Sequence, residues 1–328
     1  MRLLLRRLAD VVIVIGLLAC GAGTWVYSVF IQPGPKTTGT TVVIPKGASI
    51  NKITGLLAER GLISNSLVFR LGAMARGAAK SLQAGEFLIP ASASSEVVLR
   101  ILLSGKTVVR RLTVVEGLTT AEVINRLVRT KGLIGIISAR PGEGRLLPET
   151  YHFSYGDSRE GLLQRMRVAM DNVLGELWAK RKAGVPYKTP TEALVMASIV
   201  ERETGLAEER AKVAGVFVNR LNRGMRLQSD PTVIYGLMGT SGSVGRRLTR
   251  KDLANKHAYN TYVHGGLPPG PIANPGRAAL EAALNPAETD ALYFVADGKG
   301  GHAFARTLKE HNRNVAAWRR LQRREKAP

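Results

Sequence analysis

An uninterrupted apolar segment near the N-terminus constrains the fold more than any other feature of the sequence. From Val11 to Ile31 the chain reads VVIVIGLLACGAGTWVYSVFI, without one charged residue. A helix rises about 1.5 Å per residue, so a segment of this length spans the roughly 30 Å hydrocarbon core of a bilayer. The sequence therefore predicts a transmembrane helix at residues 11–31, preceded by a short N-terminal segment at residues 1–10.

The charges that flank this segment predict its orientation. Arg2, Arg6 and Arg7 precede it, and positively charged flanks stay in the cytoplasm. We therefore expect a single-pass protein of the cytoplasmic (inner) membrane, with the residues after the span on the periplasmic or extracytoplasmic side. Two alternatives stay open, a cleaved signal peptide and a lipoprotein modified at Cys20. Both predict an earlier end to the apolar run, whereas TWVYSVFI follows that cysteine.

The overall charge predicts an anionic partner. Lys and Arg number 47 against 25 Asp and Glu, a formal net charge of +22, which favours extended anionic surfaces. The basic residues are scattered and form no aromatic-studded motif that stacks on bases, so we expect no nucleic-acid partner. An anionic membrane face and an anionic wall polymer both fit. The five histidines and the one cysteine lack metal-ligand spacing, and we expect neither a metal nor another cofactor.

The chain after the span divides into a linker, a small module and a larger domain. Residues 32–40 are rich in Pro, Gly and Thr, as a tether is. Residues 41–92 predict a strand, two helices and a strand, an order similar to that of a LysM-type glycan-binding module; a plain α/β spacer is the alternative. Residues 93–328 predict a mostly helical domain, with an irregular bridge at 132–160 and a β-hairpin or small sheet near the end. The predicted class is α+β.

One predicted helix of this larger domain ends in two glutamates. Thr189 and Pro190 open it as a cap and a first residue, and Gly205 closes it. Glu201 and Glu203 then lie in the last turn, about 200° apart around the helix axis. They cannot both serve one site from the same face.

The residues one turn earlier favour Glu201 as the functional carboxyl. Small residues, Ala197 and Ser198, precede it at helical spacing and leave room for a ligand, whereas bulkier residues precede Glu203. Neither glutamate has Lys or Arg at helical spacing, so burial can raise the pKa of either one. A raised pKa is what a general acid requires at neutral pH.

Polar residues further along the chain are candidate ligands for a sugar. Their amides and hydroxyls suit sugar hydroxyls and acetamido groups, and a tyrosine ring can lie against a sugar face. Asp230 and Asn274 are also possible helix caps, because a proline follows each of them. The predicted substrate-binding residues are Gln228, Ser229, Asp230, Asn260, Thr261, Tyr262 and Asn274.

Eight motifs occur along the chain in the order ASIVERETG, KVAGVFVNRL, GMRLQSDPTVIYG, YNTY, GLPPGPIANPG, AALNPA, LYFVAD and GGHAF. In sequence and in order they resemble the motifs of the YceG-like family of endolytic murein transglycosylases. The resemblance implies that residues 93–328 form the catalytic domain and that Glu201 matches the catalytic glutamate. It also implies cleavage of nascent peptidoglycan strands between MurNAc and GlcNAc, beside wall synthases such as penicillin-binding proteins. Ser229 departs from an expected threonine but keeps the hydroxyl.

The implied reaction needs one carboxyl. Glu201 would protonate the leaving oxygen and then accept the proton of the muramic C6 hydroxyl, which gives a 1,6-anhydroMurNAc end without water. A peptidoglycan hydrolase that uses Glu201 and Asp230 is one alternative, since hydrolysis normally takes two carboxyls. A non-catalytic peptidoglycan-binding scaffold of the wall-synthesis machinery is another.

Overall fold

The computed structural model describes residues 2–138, 140–238 and 246–325. The chain divides into two compact units. The first contains the residues up to Arg110 together with 152–156, and the second contains 111–151 and the residues from Asp157 onward. Helices and short strands are mixed in both, as the predicted α+β class requires.

The chain begins with a long helix, α1, at Arg2–Ile31. Its stretch Arg6–Ile31 is long and apolar enough to cross a membrane, and it contains the predicted span. Most of the α1 side chains are exposed, but Phe30 at its end is only 1% exposed and belongs to the core of the first unit.

The first unit is built from the elements that the sequence predicts. The Ser49 hydroxyl accepts the backbone N–H of Lys52 and so caps the helix that begins at Ile50. The strands at residues 40–44 and 85–89 pair in antiparallel register. The elements that follow α1 are β1 (Thr40–Ile44), α2 (Ile50–Glu59), α3 (Ser66–Ala75), β2 (Gly85–Ile89) and α4 (Ser95–Ser104).

This unit extends beyond residue 92, where the sequence analysis placed a boundary. Leu99 and Leu102 of α4 are buried in the same hydrophobic core as Val42 and Phe87 of the two strands. Because α4 supplies part of that core, it belongs to the first unit rather than to the domain after it.

The second unit is mostly helical. Its helices and hairpin are α5 (Thr120–Arg129), α6 (Arg159–Ala179), α7 (Pro190–Glu203), α8 (Ala207–Asn222), α9 (Asp230–Met238), α10 (Arg250–Leu253), α11 (Arg277–Leu284), β5 (Tyr293–Ala296), β6 (His302–Ala305) and α12 (Leu308–Glu325). Strands β3 (Val109–Thr113) and β4 (Thr150–Ser154) form a two-stranded sheet, and the residues of each strand are divided between the two units. The stretch 132–160, predicted to be irregular, therefore contains a strand.

Helix α7 forms the centre of this unit. Every residue from Ala193 to Val200 is buried, and α6, α8 and α11 pack around the helix. The predicted hairpin is confirmed as β5 and β6, with Phe294 opposite Phe304. A helix buried on all sides can present functional groups only at its ends, and the two glutamates lie at one of them.

Candidate active site

The predicted limits of α7 are confirmed. The Thr189 hydroxyl accepts the backbone N–H of Glu192 at 3.2 Å, and Pro190 is the first helical residue. The Glu192 carboxylate in turn accepts the N–H of Lys188, the residue before the cap, at 2.6 Å. The helix ends at Glu203, and Thr204 is already extended. Both glutamates therefore lie in the last turn.

Glu203 lines a cavity of about 430 Å³. Its Oε1 accepts the hydroxyl of Ser229 at 2.5 Å. Aromatic and polar side chains from β5, β6 and α12 close the other side. The described residues that line the cavity are Glu203, Arg220, Leu227, Gln228, Asp230, Tyr262, Tyr293, Phe294, Val295, Ala296, His302, Leu308, His311 and Val315.

Three predicted substrate-binding residues meet in this cavity, namely Gln228, Asp230 and Tyr262. The Tyr262 hydroxyl donates to Asp230 Oδ1 at 2.6 Å. Gln228 has a φ of 53°, in the left-handed region, and its N–H donates to the carbonyl of Thr261 at 3.1 Å. The two predicted stretches, 228–230 and 260–262, therefore lie side by side.

The other predicted residues of these stretches hold the chain in place. Thr261 Oγ1 accepts the N–H of Ser229 at 3.0 Å, and both residues are almost fully buried. The Asn260 amide donates to the carbonyls of Leu253 and Asn255. Asn260 and Thr261 thus support the cavity wall, and their side chains do not face the cavity.

Burial raises the pKa of Glu203 to about 7. Hydrogen bonding by Ser229 opposes this shift, the neighbouring charge of Asp230 adds to it, and the Arg220 guanidinium again opposes it. The burial contribution prevails because the carboxyl is largely withdrawn from solvent, while the hydrogen bond that it accepts from Ser229 comes from a neutral hydroxyl. A carboxyl with this pKa is protonated in about half of the molecules at neutral pH.

Arg220 is a cavity residue that the sequence analysis missed. It is 7% exposed and donates from Nε to the carbonyl of Leu292 at 2.6 Å and from Nη1 to that of Leu227 at 2.7 Å. Its guanidinium also lies over the ring of Tyr293, 5.1 Å from the centroid. Arg220 therefore ties the segment before Gln228 to the strand that forms the opposite wall.

His302 is a second missed residue. Its Nδ1 lies 2.6 Å from Glu209 Oε2, and its backbone N–H donates to Glu209 Oε1 at 2.9 Å. A carboxylate bound in this way fixes the ring orientation of a histidine. The motifs LYFVAD and GGHAF contain Tyr293 and His302, but their hairpin pattern predicts strands and does not indicate which side chains face a cavity.

Glu201 lies on the other side of the last turn and is not among the described residues that line the cavity. Its side chain is 5% exposed, with Oε2 accepting the N–H of Gly276 at 2.8 Å and Oε1 lying 3.9 Å from the Arg210 guanidinium. Burial raises the pKa of Glu201 too, and the nearby charge of Glu116 adds to the shift; the Gly276 hydrogen bond and Arg210 oppose it.

The prediction that small residues behind Glu201 leave room for a ligand is wrong. The Ser198 hydroxyl accepts the N–H of Ile272 at 3.0 Å, so the proline-rich loop at residues 265–276 packs where the ligand was expected. A Cβ on Gly276 would overlap the Glu116 carboxylate. The backbone of that loop fills the space, and the sequence spacing within α7 does not reveal it. The pair that the hydrolase alternative needs, Glu201 and Asp230, is therefore not brought together in the cavity.

Asn274 is also part of this loop rather than of the cavity. It is fully buried, its Oδ1 accepts the N–H of Leu146 at 2.9 Å and its amide donates to the carbonyl of Leu118 at 2.9 Å. The N-cap of α11 is Gly276, so Asn274 does not cap that helix. Its amide joins three separate segments of the second unit.

Metal ligation has no candidate in the described part of the chain. Across residues 2–138, 140–238 and 246–325, no group of three or more His, Cys, Asp or Glu could hold a metal ion. The cavity instead holds one carboxyl that is readily protonated, a second carboxyl at Asp230, and rings on the opposite wall.

A mostly helical α+β unit with a protonatable carboxyl in an open cavity has the site of an enzyme that works by acid–base catalysis. The chain belongs to the YceG-like family, whose sequence profile matches residues 42–317.

Curated relatives and a solved structure agree with this assignment. The chain is 33% identical over 321 residues to an endolytic murein transglycosylase of Bacillus subtilis, with 86% of each chain covered. It is 32% identical to an endolytic murein transglycosylase of Streptococcus pneumoniae strain D39, over 84% of this chain and 58% of that protein. A crystal structure of a YceG-like protein from Listeria monocytogenes superposes with a TM-score of 0.52 at 32% identity, over 84% of this chain and 99% of that one.

Proposed function

We propose that the protein is a membrane-anchored endolytic lytic transglycosylase that cleaves peptidoglycan glycan strands between MurNAc and GlcNAc. The names of the curated relatives support the substrate and the reaction class. The long apolar helix α1 supports anchoring, and the arginines before the apolar segment support a cytoplasmic N-terminus. The net charge of +22 fits anionic wall polymers and an anionic membrane face. Wall synthases such as penicillin-binding proteins are the expected protein partners.

Within this function we assign the acid–base role to Glu203. The observation that carries the assignment is its position in the cavity, beside Asp230 and Tyr262, with a pKa of about 7. Glu201, which the motif resemblance implies, is the competing candidate, but the loop at residues 265–276 covers it. The two glutamates are separated by one intervening residue, so a motif match alone discriminates weakly between them.

The proposed reaction uses one carboxyl twice. Protonated Glu203 donates its proton to the glycosidic oxygen as the bond from that oxygen to the muramic C1 breaks. The resulting carboxylate then accepts the proton of the C6 hydroxyl as O6 bonds to C1, which closes the 1,6-anhydro ring and restores the acid. Asp230 and Tyr262, joined by their hydrogen bond, orient the sugar. Water is not consumed.

Product mass tests the reaction class. Purified peptidoglycan is digested with the full-length protein in detergent and in water enriched in heavy oxygen. The fragments are then analysed by mass spectrometry. A transglycosylase gives ends about 18 Da lighter than hydrolysis products, because one water is absent, and they carry no solvent oxygen. Heavy oxygen at the new ends would instead establish a hydrolase, and an undigested polymer would favour the scaffold.

A further inference from the structure

The last turns of α1 belong to the core of the first unit. Phe30 lies against Gly72 of α3 so closely that a Cβ at that glycine would overlap the ring. The guanidinium of Arg76 lies over the same ring, 4.5 Å from its centroid. Val26 and Val29 pack against the same core. The unit is therefore joined to α1 by packing as well as by the chain that follows the helix.

This packing sets the depth of the unit relative to the apolar part of α1. Val26 precedes Phe30 by four residues, or about 6 Å along a helix. Trp25 and Tyr27 lie at the same level, with 57% and 58% of their surfaces exposed, and such rings favour the membrane–water interface. Because the core of the unit reaches Val26, part of the unit lies at the depth of the interface.

Helix α3, which packs on α1, has an apolar face directed away from the core. Leu67, Leu71 and Met74 follow one another at helical spacing and are 52%, 41% and 56% exposed. We call these three residues the α3 apolar face. Arg70 lies among them and donates to Asn51 at 3.1 Å, and a long arginine can reach lipid phosphates from such a position.

We propose that the α3 apolar face inserts into the interfacial layer of an anionic bilayer beside α1. The proposal rests on the membrane anchoring proposed above. It assigns the lipid surface as the partner because α3, the helix that carries this face, packs through Gly72 on Phe30 at the end of the helix that carries the membrane-spanning segment. The first unit is then held at the membrane surface in a fixed orientation, and it is not free to move on a flexible tether.

Site-directed spin labelling of the full chain tests this contact. The protein is reconstituted in nanodiscs of phosphatidylcholine and phosphatidylglycerol, with Cys20→Ala to remove the natural cysteine. Leu67→Cys, Leu71→Cys and Met74→Cys are made one at a time, and each cysteine is labelled with a nitroxide. Leu88 on β2, 58% exposed in the same unit, is the matched control, and Leu17 in α1, 69% exposed, reports the span itself. Collision rates with oxygen, which concentrates in lipid, are compared with those of a water-soluble nickel complex.

The expected result is an oxygen-to-nickel ratio on the α3 apolar face that is several-fold higher than at Leu88 and lower than at Leu17. A ratio equal to that at Leu88, with Leu17 still lipid-exposed, overturns the contact but leaves the anchoring intact. A low ratio at Leu17 overturns the anchoring itself. Labels that neither reagent reaches overturn the proposal in favour of a protein partner on this face. Circular dichroism of each labelled variant checks that the exposed substitutions leave the fold unchanged.

Discussion

Glu201 and Glu203 share the last turn of α7 but lie in different surroundings. Glu203 receives a hydroxyl hydrogen bond and faces an open cavity, whereas Glu201 accepts a backbone N–H from the loop before α11 and lies near an arginine. Burial raises the pKa of both. A perturbed carboxyl therefore identifies this helix end as a candidate site, and access to the cavity is the difference on which the proposed role of Glu203 rests.

The largest expected effect separates the two glutamates by activity. Glu203→Gln removes the proton donor and lowers the cleavage rate by about 10²–10⁴-fold, the usual contribution of general acid–base catalysis. Glu201→Gln keeps an oxygen that can accept the Gly276 N–H and retains most of the activity. The measurement is the initial rate of release of soluble fragments from peptidoglycan by the full chain, with both variants at matched concentration. The opposite ranking would return the catalytic role to Glu201.

The sequence was sufficient to predict α7, its cap, its end and the presence of two perturbed carboxyls. These features depend on neighbours within one or two turns, such as Thr189 and Pro190. The choice between the glutamates depends on segments that pack against the helix from far along the chain: Ser229 on one side and Gly276 on the other. Spacing within a helix predicts which residues share a face, but it does not predict which segments of the chain pack on that face.

The same limit applies to the residues around the cavity. Gln228, Asp230 and Tyr262 could be predicted because they are polar residues between helices whose side chains suit a sugar. Arg220 could not be predicted, because it lies within helix α8 and its bonds to the carbonyls of Leu292 and Leu227 join it to residues outside that helix. The packing of β5 against α8, which places the Tyr293 ring beside Arg220, is a tertiary feature.

The second prediction concerns stability and pH. The pKa of Glu203 is about 7 in the folded chain against 4.5 for the unfolded carboxyl. Between these values the folded state retains a proton that the unfolded state has released, so this residue makes stability fall as pH rises from about 4.5 to about 7. The shift corresponds to a loss on the order of 3 kcal/mol. Thermal unfolding of the full chain in detergent, measured at several pH values, should show this loss reduced in Glu203→Gln.

Glu201→Gln is the matched control for that measurement, because burial raises the pKa of Glu201 as well. The quantity to compare is the difference in unfolding free energy between each variant and the natural chain at each pH. A pH-independent difference for Glu203→Gln would show that the carboxyl is better solvated than its burial indicates.

The third prediction tests the supporting role of Glu201. Glu201→Ala leaves the Gly276 N–H without its acceptor and removes one of the two carboxylates beside Arg210, and we expect a loss of about 1–3 kcal/mol in the free energy of unfolding. Glu201→Gln keeps the acceptor and loses less. Chemical denaturation of both variants measures the difference. Equal stability of the alanine variant and the natural chain would contradict a stabilising role of Glu201.

The smallest expected effect concerns Ser229, which is hydrogen-bonded to Glu203, and it tests which of the two glutamates is the titrating acid. The Ser229 hydroxyl donates to Glu203 and so favours the ionised carboxyl; its removal in Ser229→Ala raises the pKa of Glu203 further. Because the general acid must be protonated, the fall in cleavage rate at alkaline pH moves to higher pH, by up to about one unit for the loss of one hydrogen bond. Ser229→Thr keeps a hydroxyl and leaves the pH profile of the cleavage rate in place.

The readout is the pH at which the cleavage rate falls on the alkaline side. A merely structural role of Ser229 changes the height of the profile and not that pH. If the limb stays fixed in Ser229→Ala but moves in a variant near Glu201, such as Arg210→Gln, the titrating acid is Glu201, and the loop at residues 265–276 must open to admit the substrate.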